Sequence, residues 1–161
     1  MVSVLRESDS LTAAIDAALE CLSSRADHDE TSRALRRAVE LAGSGIHPDQ
    51  AIAELGQGWI AEEALAVAVY CALVAPDFRE GVIMAVNHDG DSDSTGAITG
   101  HLLGLIGGER SIPSEWLGAL ELRDITAEVA DDLLDCRGWP IGAGAKGDAF
   151  TNQVWQKYPG Y

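Results

Sequence analysis

The sequence predicts an all-α domain. Apolar residues recur at three- and four-residue spacing along most of the 161-residue chain, and few stretches alternate with period two. Capping residues open the periodic runs, and glycine or proline closes them. The length suits a single domain, residues 1–161, with a real core and roughly eight helices at the usual helix length.

Ser10 is placed to cap a first helix running to about Ser23, with Leu11, Ile15, Ala18, Leu19 and Leu22 on one face. A second helix runs from about Glu30 to Ala42, turns Leu35, Ala38, Val39 and Ala42 inward, and stops at Gly43 and Gly45. Pro48 suits the first turn of a short helix carrying Ile52 and Leu55. The stretch "GQGWIAEEALAVAVYCAL" (56–73) begins with a glycine turn and then becomes apolar almost all round, the pattern of a central helix that Pro76 ends. Residues 77–86, "DFREGVIMAV", fit a helix or a buried strand, because Gly81 interrupts the pattern. Helical spacing returns in "STGAITGHLLGLIGG" (94–108), "IPSEWLGALEL" (112–122) and "DITAEVADDLLD" (124–135). A glycine-rich loop follows Arg137, and "AFTNQVWQKYPGY" (149–161) closes the chain as a short helix with an aromatic end.

Composition narrows the function. The chain is 47% hydrophobic with mean hydropathy +0.02, so it is globular. Eleven Lys and Arg against 26 Asp and Glu give a net charge of −15, which argues against nucleic acid and anionic membrane as partners. The apolar run "ALAVAVYCALVA" (64–75) is too short to cross a bilayer, and "MVSVLRESDS" lacks a secretion signal, so the expected location is the cytoplasm. Cys21, Cys71 and Cys136 are odd in number, widely spaced and form no CxxC, which argues against a disulfide framework or a zinc site. Cys21 and Cys71 lie in apolar helical patterns and read as core thiols.

The stretch "NHDGDSDSTGAITG" (87–100) crowds Asp89, Asp91 and Asp93 just before a helix start. Carboxylates two residues apart, with hydroxyl oxygens beside them, are hard ligands suited to Mg²⁺, Mn²⁺ or Ca²⁺. An EF-hand calcium loop is rejected, since Ser94 and Gly100 stand where that loop needs Gly and a bidentate Glu. Asp91, Asp93 and Thr95 also match the D-x-D-x-T loop of haloacid-dehalogenase-like phosphatases, which needs an apolar strand leading into the first Asp. A third reading is a capped helix with no metal at all. Spacing alone leaves the metal site, the phosphatase loop and the cap open.

Other candidates carry two readings each. Glu62 and Glu63 suit a helix's first turn more than a site. Trp59 and Tyr70 are of the type that stacks on adenine, but at helical spacing they read as core. His28 and His47 read as solvated turn residues.

Together, "NHDGDSDSTGAITG", "LGQGWIAEEALAVAVYCAL" upstream and "IPSEWLGALELRDITAEVADDLL" downstream resemble the ADP-ribosylglycohydrolase family, from about Leu11 to the "YPG" end. That resemblance implies a compact orthogonal all-α fold and hydrolysis, with two Mg²⁺ or Mn²⁺ ions, of the glycosidic bond joining ADP-ribose to an acceptor side chain such as arginine or serine. It makes Asp91, Asp93 and Ser94 metal ligands, and it places His88, Asp89 and Gly90 at the substrate. His101 stands where the family commonly has Asn.

The resemblance is to the family's C-terminal half. The Thr-Asp-Asp cluster of the other half, which brings further ligands and the principal carboxylate, has no match: "SDSLT" and "ADHDET" lack the pattern, and Asp131-Asp132 has no preceding Thr. No catalytic acid or base is therefore assigned. The expectation is a fragment, a split enzyme completed by a second chain, or a shortened relative that binds ADP-ribose or a partner without hydrolysis. Half a site also predicts exposed apolar surface and self-association.

Overall fold

The computed structural model describes residues 10–140 and 148–159. Most of the glycine-rich loop expected after Arg137 and the last two residues of the aromatic end lie outside them. The described residues are all-α, with no strand among them. They fall into two compact units divided between Trp116 and Leu117.

The first unit is built from α1 (Leu11–Ser23), α2 (Asp29–Ser44), α3 (Pro48–Leu55), α4 (Ala61–Val74), α5 (Phe78–Val86) and α6 (Ser92–Gly107). Ser10 caps α1 as its sequence predicts, its hydroxyl accepting the Ala13 N–H at 3.1 Å. Ser32, Leu35, Ala38 and Leu41 form the buried stripe of α2. Pro48 opens α3, and His47, exposed in the preceding turn, accepts the Asp49 N–H. His28, in contrast, is half-buried, with Nδ1 3.0 Å from the buried Ser32 hydroxyl.

Helix α4 is central. It packs against α2, α3, α5 and α6, and Ala66 through Ala72 are all buried. Its small and β-branched side chains let neighbours approach on every side. Each fully buried valine, Val67 and Val69, stabilises the fold by roughly 1.5–3 kcal/mol. Tyr70 is a core residue, as its spacing predicts.

The open choice at 77–86 resolves to helix. Asp77 caps α5, accepting the Glu80 N–H at 2.9 Å, and the α5 face carrying Gly81 meets Leu103 of α6. The interruption at Gly81 is thus a close helix–helix contact.

Cys21 is not a core thiol: it is exposed near the end of α1, off the face that Ile15 and Leu19 share. Cys71 is buried, and burial pushes its thiol up to about 12. A thiol-labelling assay at neutral pH is expected to find Cys21 and Cys136 reactive in the folded protein and Cys71 only after denaturation.

The second unit contains α8 (Arg123–Asp135) and α9 (Ala149–Lys157); α7 (Ser114–Ala119) crosses the division. Asp148 caps α9 through the Thr151 N–H at 2.8 Å and the Thr151 hydroxyl at 2.7 Å. Asp132 of α8 pairs with Lys157 Nζ at 2.5 Å and accepts the Tyr158 hydroxyl at 2.6 Å. These bonds hold the Asp132 carboxyl below its ordinary range, chiefly through Lys157. Asp148 is lowered likewise by Thr151. Carboxyls lowered on folding stabilise the unit above the ordinary carboxylate range and lose that contribution as pH falls through their folded values. Acid titration followed by amide exchange is expected to open α8 and α9 before α4, whose core contains no carboxylate.

No described helix is long and apolar enough to cross a membrane.

Candidate functional site

Two short loops of the first unit meet to form the site. Residues 56–60 join α3 to α4, and 87–91 join α5 to α6. Glu63, in the first turn of α4, holds the first loop: its Oε2 accepts the N–H groups of Gln57 and Gly58, both at 3.0 Å. Glu63 is thus a loop fastener, the structural reading of its position. Gly58 takes φ +80°, and a Cβ there would lie 3.0 Å from Thr95 Cγ2.

The second loop is tied to the first through backbone. The Asp91 N–H donates to the Gln57 carbonyl at 2.7 Å. Gly90 lies so close that a Cβ would fall 1.8 Å from that carbonyl oxygen. No side chain fits there.

His88 locks the turn from inside. Its Nδ1 accepts the Gly90 N–H at 3.1 Å, so the proton sits on Nε2, which donates to Thr95 Oγ1 at 2.9 Å. The Thr95 hydroxyl in turn donates to the Ala85 carbonyl at 2.7 Å. Both ring nitrogens of this neutral histidine are therefore engaged. Thr95 is fully buried and ties the end of α5 to the start of α6.

Asp91, Asp93 and Ser94 lie together at the N-terminus of α6, where the helix field favours negative charge. Hydrogen bonding to Asp93 first, and to Ser94 next, holds the Asp91 carboxyl below its ordinary range. His88, Asp89 and Gly90 line a neighbouring cavity of about 320 Å³ with Gln57, Asn87 and Asp49. The six residues singled out in the sequence thus fall into two adjacent sets: three at the helix start and three around the cavity.

The donor set bears on a metal. Two carboxylates and a hydroxyl at a helix start are hard oxygen ligands of the kind Mg²⁺ and Mn²⁺ take. Among the described residues, no group of three or more His, Cys, Asp or Glu side chains converges as a metal site.

Other candidates lie elsewhere. His101 is exposed on α6, two turns beyond Asp93. Trp59, read from the sequence as core, is 67% exposed, because α4 begins only at Ala61 and leaves Trp59 in the loop. The phosphatase loop needs a strand before Asp91; α5 occupies that place, so this reading fails.

The sequence profile of the ADP-ribosylglycohydrolase family matches residues 1–141. The chain belongs to that family. It is 33% identical over 101 residues to an uncharacterized protein of Archaeoglobus fulgidus, covering 63% of this chain and 32% of that one. It is 41% identical over 68 residues to the ADP-ribosyl-[dinitrogen reductase] glycohydrolase of Rhodospirillum rubrum, covering 40% and 23%. It is 25% identical over 95 residues to the ADP-ribosylarginine hydrolase Tri1 of Serratia proteamaculans, covering 59% and 26%. The matches span about a quarter to a third of these curated relatives' lengths. No solved structure matches the chain.

Proposed function

We propose that this chain carries the metal-binding corner of an enzyme that removes ADP-ribose from modified proteins by hydrolysing their N- or O-glycosidic bond. The observation that carries this is the grouping of Asp91, Asp93 and Ser94 at the start of α6 in a member of this family. These three residues would hold Mg²⁺ or Mn²⁺. The ion, when bound, would orient ribose hydroxyls and lower the pKa of a bound water, chemistry suited to an anomeric carbon that reacts through an oxocarbenium-like state.

The remaining tasks fall to the chain's own groups. Gly90 and Gln57 bring the two loops into contact and fix the direction in which Asp91 leaves the turn. His88, already committed at both nitrogens, positions the loop and is not assigned as acid or base. Asp89, with Gly90, lines the cavity where the substrate would sit. The missing ligands and the principal carboxylate would come from further polypeptide that carries the Thr-Asp-Asp cluster, such as a second, different chain. Ile83 and Val86 of α5 and Leu105 and Ile106 of α6 are exposed apolar residues that such a partner would cover.

The partial ligand set favours a second reading. With two carboxylates and no assigned acid or base, the same corner would serve a non-catalytic module that binds ADP-ribose or a partner. Release of ADP-ribose from arginine- and serine-modified peptides separates the readings. Mg²⁺-dependent release that chelator abolishes supports hydrolysis; retained ADP-ribose binding without release supports the binding module.

A further inference from the structure

The loop that holds Gln57 ends on an indole that the core does not use. Trp59 is 67% exposed, yet it is fixed in place. The turn before it is tied by Glu63 to the Gln57 and Gly58 N–H groups, and α4 begins two residues after it. Its own Nε1–H donates to the Gln57 side-chain oxygen at 3.2 Å. The polar edge of the indole is thus satisfied, and the π system is what remains for a ligand.

Position gives the indole its meaning. The adjoining Gly58 lies against Asp91, with the Cβ position at Gly58 3.6 Å from Asp91 Cβ. Gln57, which holds the ring, also lines the cavity with Asp89. Single exposed aromatics are common on protein surfaces. One pinned by Gln57 in the loop that meets Asp91, on a chain of net charge −15, is suited to a planar cation.

We infer that Trp59 is the acceptor-selecting residue of this site, its ring face taking the guanidinium of a modified arginine. This rests on the reading that the site handles ADP-ribosylated proteins. Guanidinium is planar, weakly hydrated and always charged, so it stacks on an indole face, and the chain's strong net negative charge favours it. A neutral serine linkage offers neither interaction.

Agmatine, a small guanidinium, tests the role without metal or turnover. The indole N–H resonance of Trp59, identified by its loss in Trp59→Phe, is expected to shift saturably with agmatine. Butylurea, planar but uncharged, and adenosine are expected to leave it in place. Trp59→Leu is expected to weaken agmatine binding about two- to fivefold, the range of an exposed cation–π contact. Trp59→Phe is expected to retain most of the affinity, and both variants to melt with the parent, since the side chain is exposed. An equal response to butylurea, a response to adenosine in place of agmatine, or unchanged affinity in Trp59→Leu would overturn the assignment. ADP-ribose release that persists alongside such a result removes the role of Trp59 alone. Agmatine binding without any release removes the hydrolase reading and leaves the guanidinium site.

Discussion

Replacing Gly90 with alanine is expected to separate the two site loops and lower both stability and metal affinity. The added Cβ would lie 1.8 Å from the Gln57 carbonyl oxygen, 2.6 Å from its carbon and 2.8 Å from Cα. All three are backbone atoms, so no rotamer change relieves the clash. The loops must part, and the 2.7 Å bond from the Asp91 N–H to Gln57 goes with them. Overpacking and one lost hydrogen bond together are expected to cost about 2–4 kcal/mol. Thermal unfolding checks the size, and Gly118→Ala is the control. Gly118 sits in α7 with nothing within 4 Å of its Cβ position, so alanine there is expected to be neutral or slightly stabilising. Parent-like melting of Gly90→Ala would show that the loops do not meet as described.

Asp91→Asn and Asp93→Asn are expected to leave the fold intact and remove the proposed metal-dependent hydrolysis. Asp93 is exposed and Asp91 half-exposed, and neither side chain caps α6. Amides keep the shape and lose the charge a divalent ion requires. Each is expected to lower Mg²⁺-dependent ADP-ribose release on the order of 100-fold or more, since losing even an outer partner of a metal ligand costs about 10- to 100-fold. Asp89→Asn, altering the cavity wall without touching the proposed ligands, is expected to act mainly on KM. Turnover against substrate and metal concentration separates these effects, with circular dichroism to confirm folding.

The contrast between these variants reflects what a sequence records. Helices were legible where local chemistry determines them: the Ser10 cap, Pro48 at a first turn, and the uniform apolarity that buries α4. The acidic corner was legible because its residues are neighbours in the chain. Long-range contacts were not. Nothing in "GQGW" or "NHDG" shows that one loop's carbonyl meets the other's glycine, because each pattern reads equally as an isolated turn. The bonds from His88 through Thr95 to Ala85 are invisible in the sequence for the same reason: they run from a loop into α6 and across to α5. Trp59 and Cys21 follow core periodicity yet are exposed, because periodicity gives a face but not where the helix begins or how far its neighbours reach. Gly81 made 77–86 ambiguous because a helix–helix contact and a strand interruption look alike in one dimension.

The central claim is that Asp91, Asp93 and Ser94 form a divalent-metal site. Mn²⁺ binding, followed by electron paramagnetic resonance as the chain is titrated with metal, tests it most directly. Saturable binding that Mg²⁺ displaces, and that disappears in the Asp91→Asn, Asp93→Asn double variant while the helices remain, is the predicted result. No saturable binding by the parent chain, or binding that the double variant retains unchanged, would contradict it.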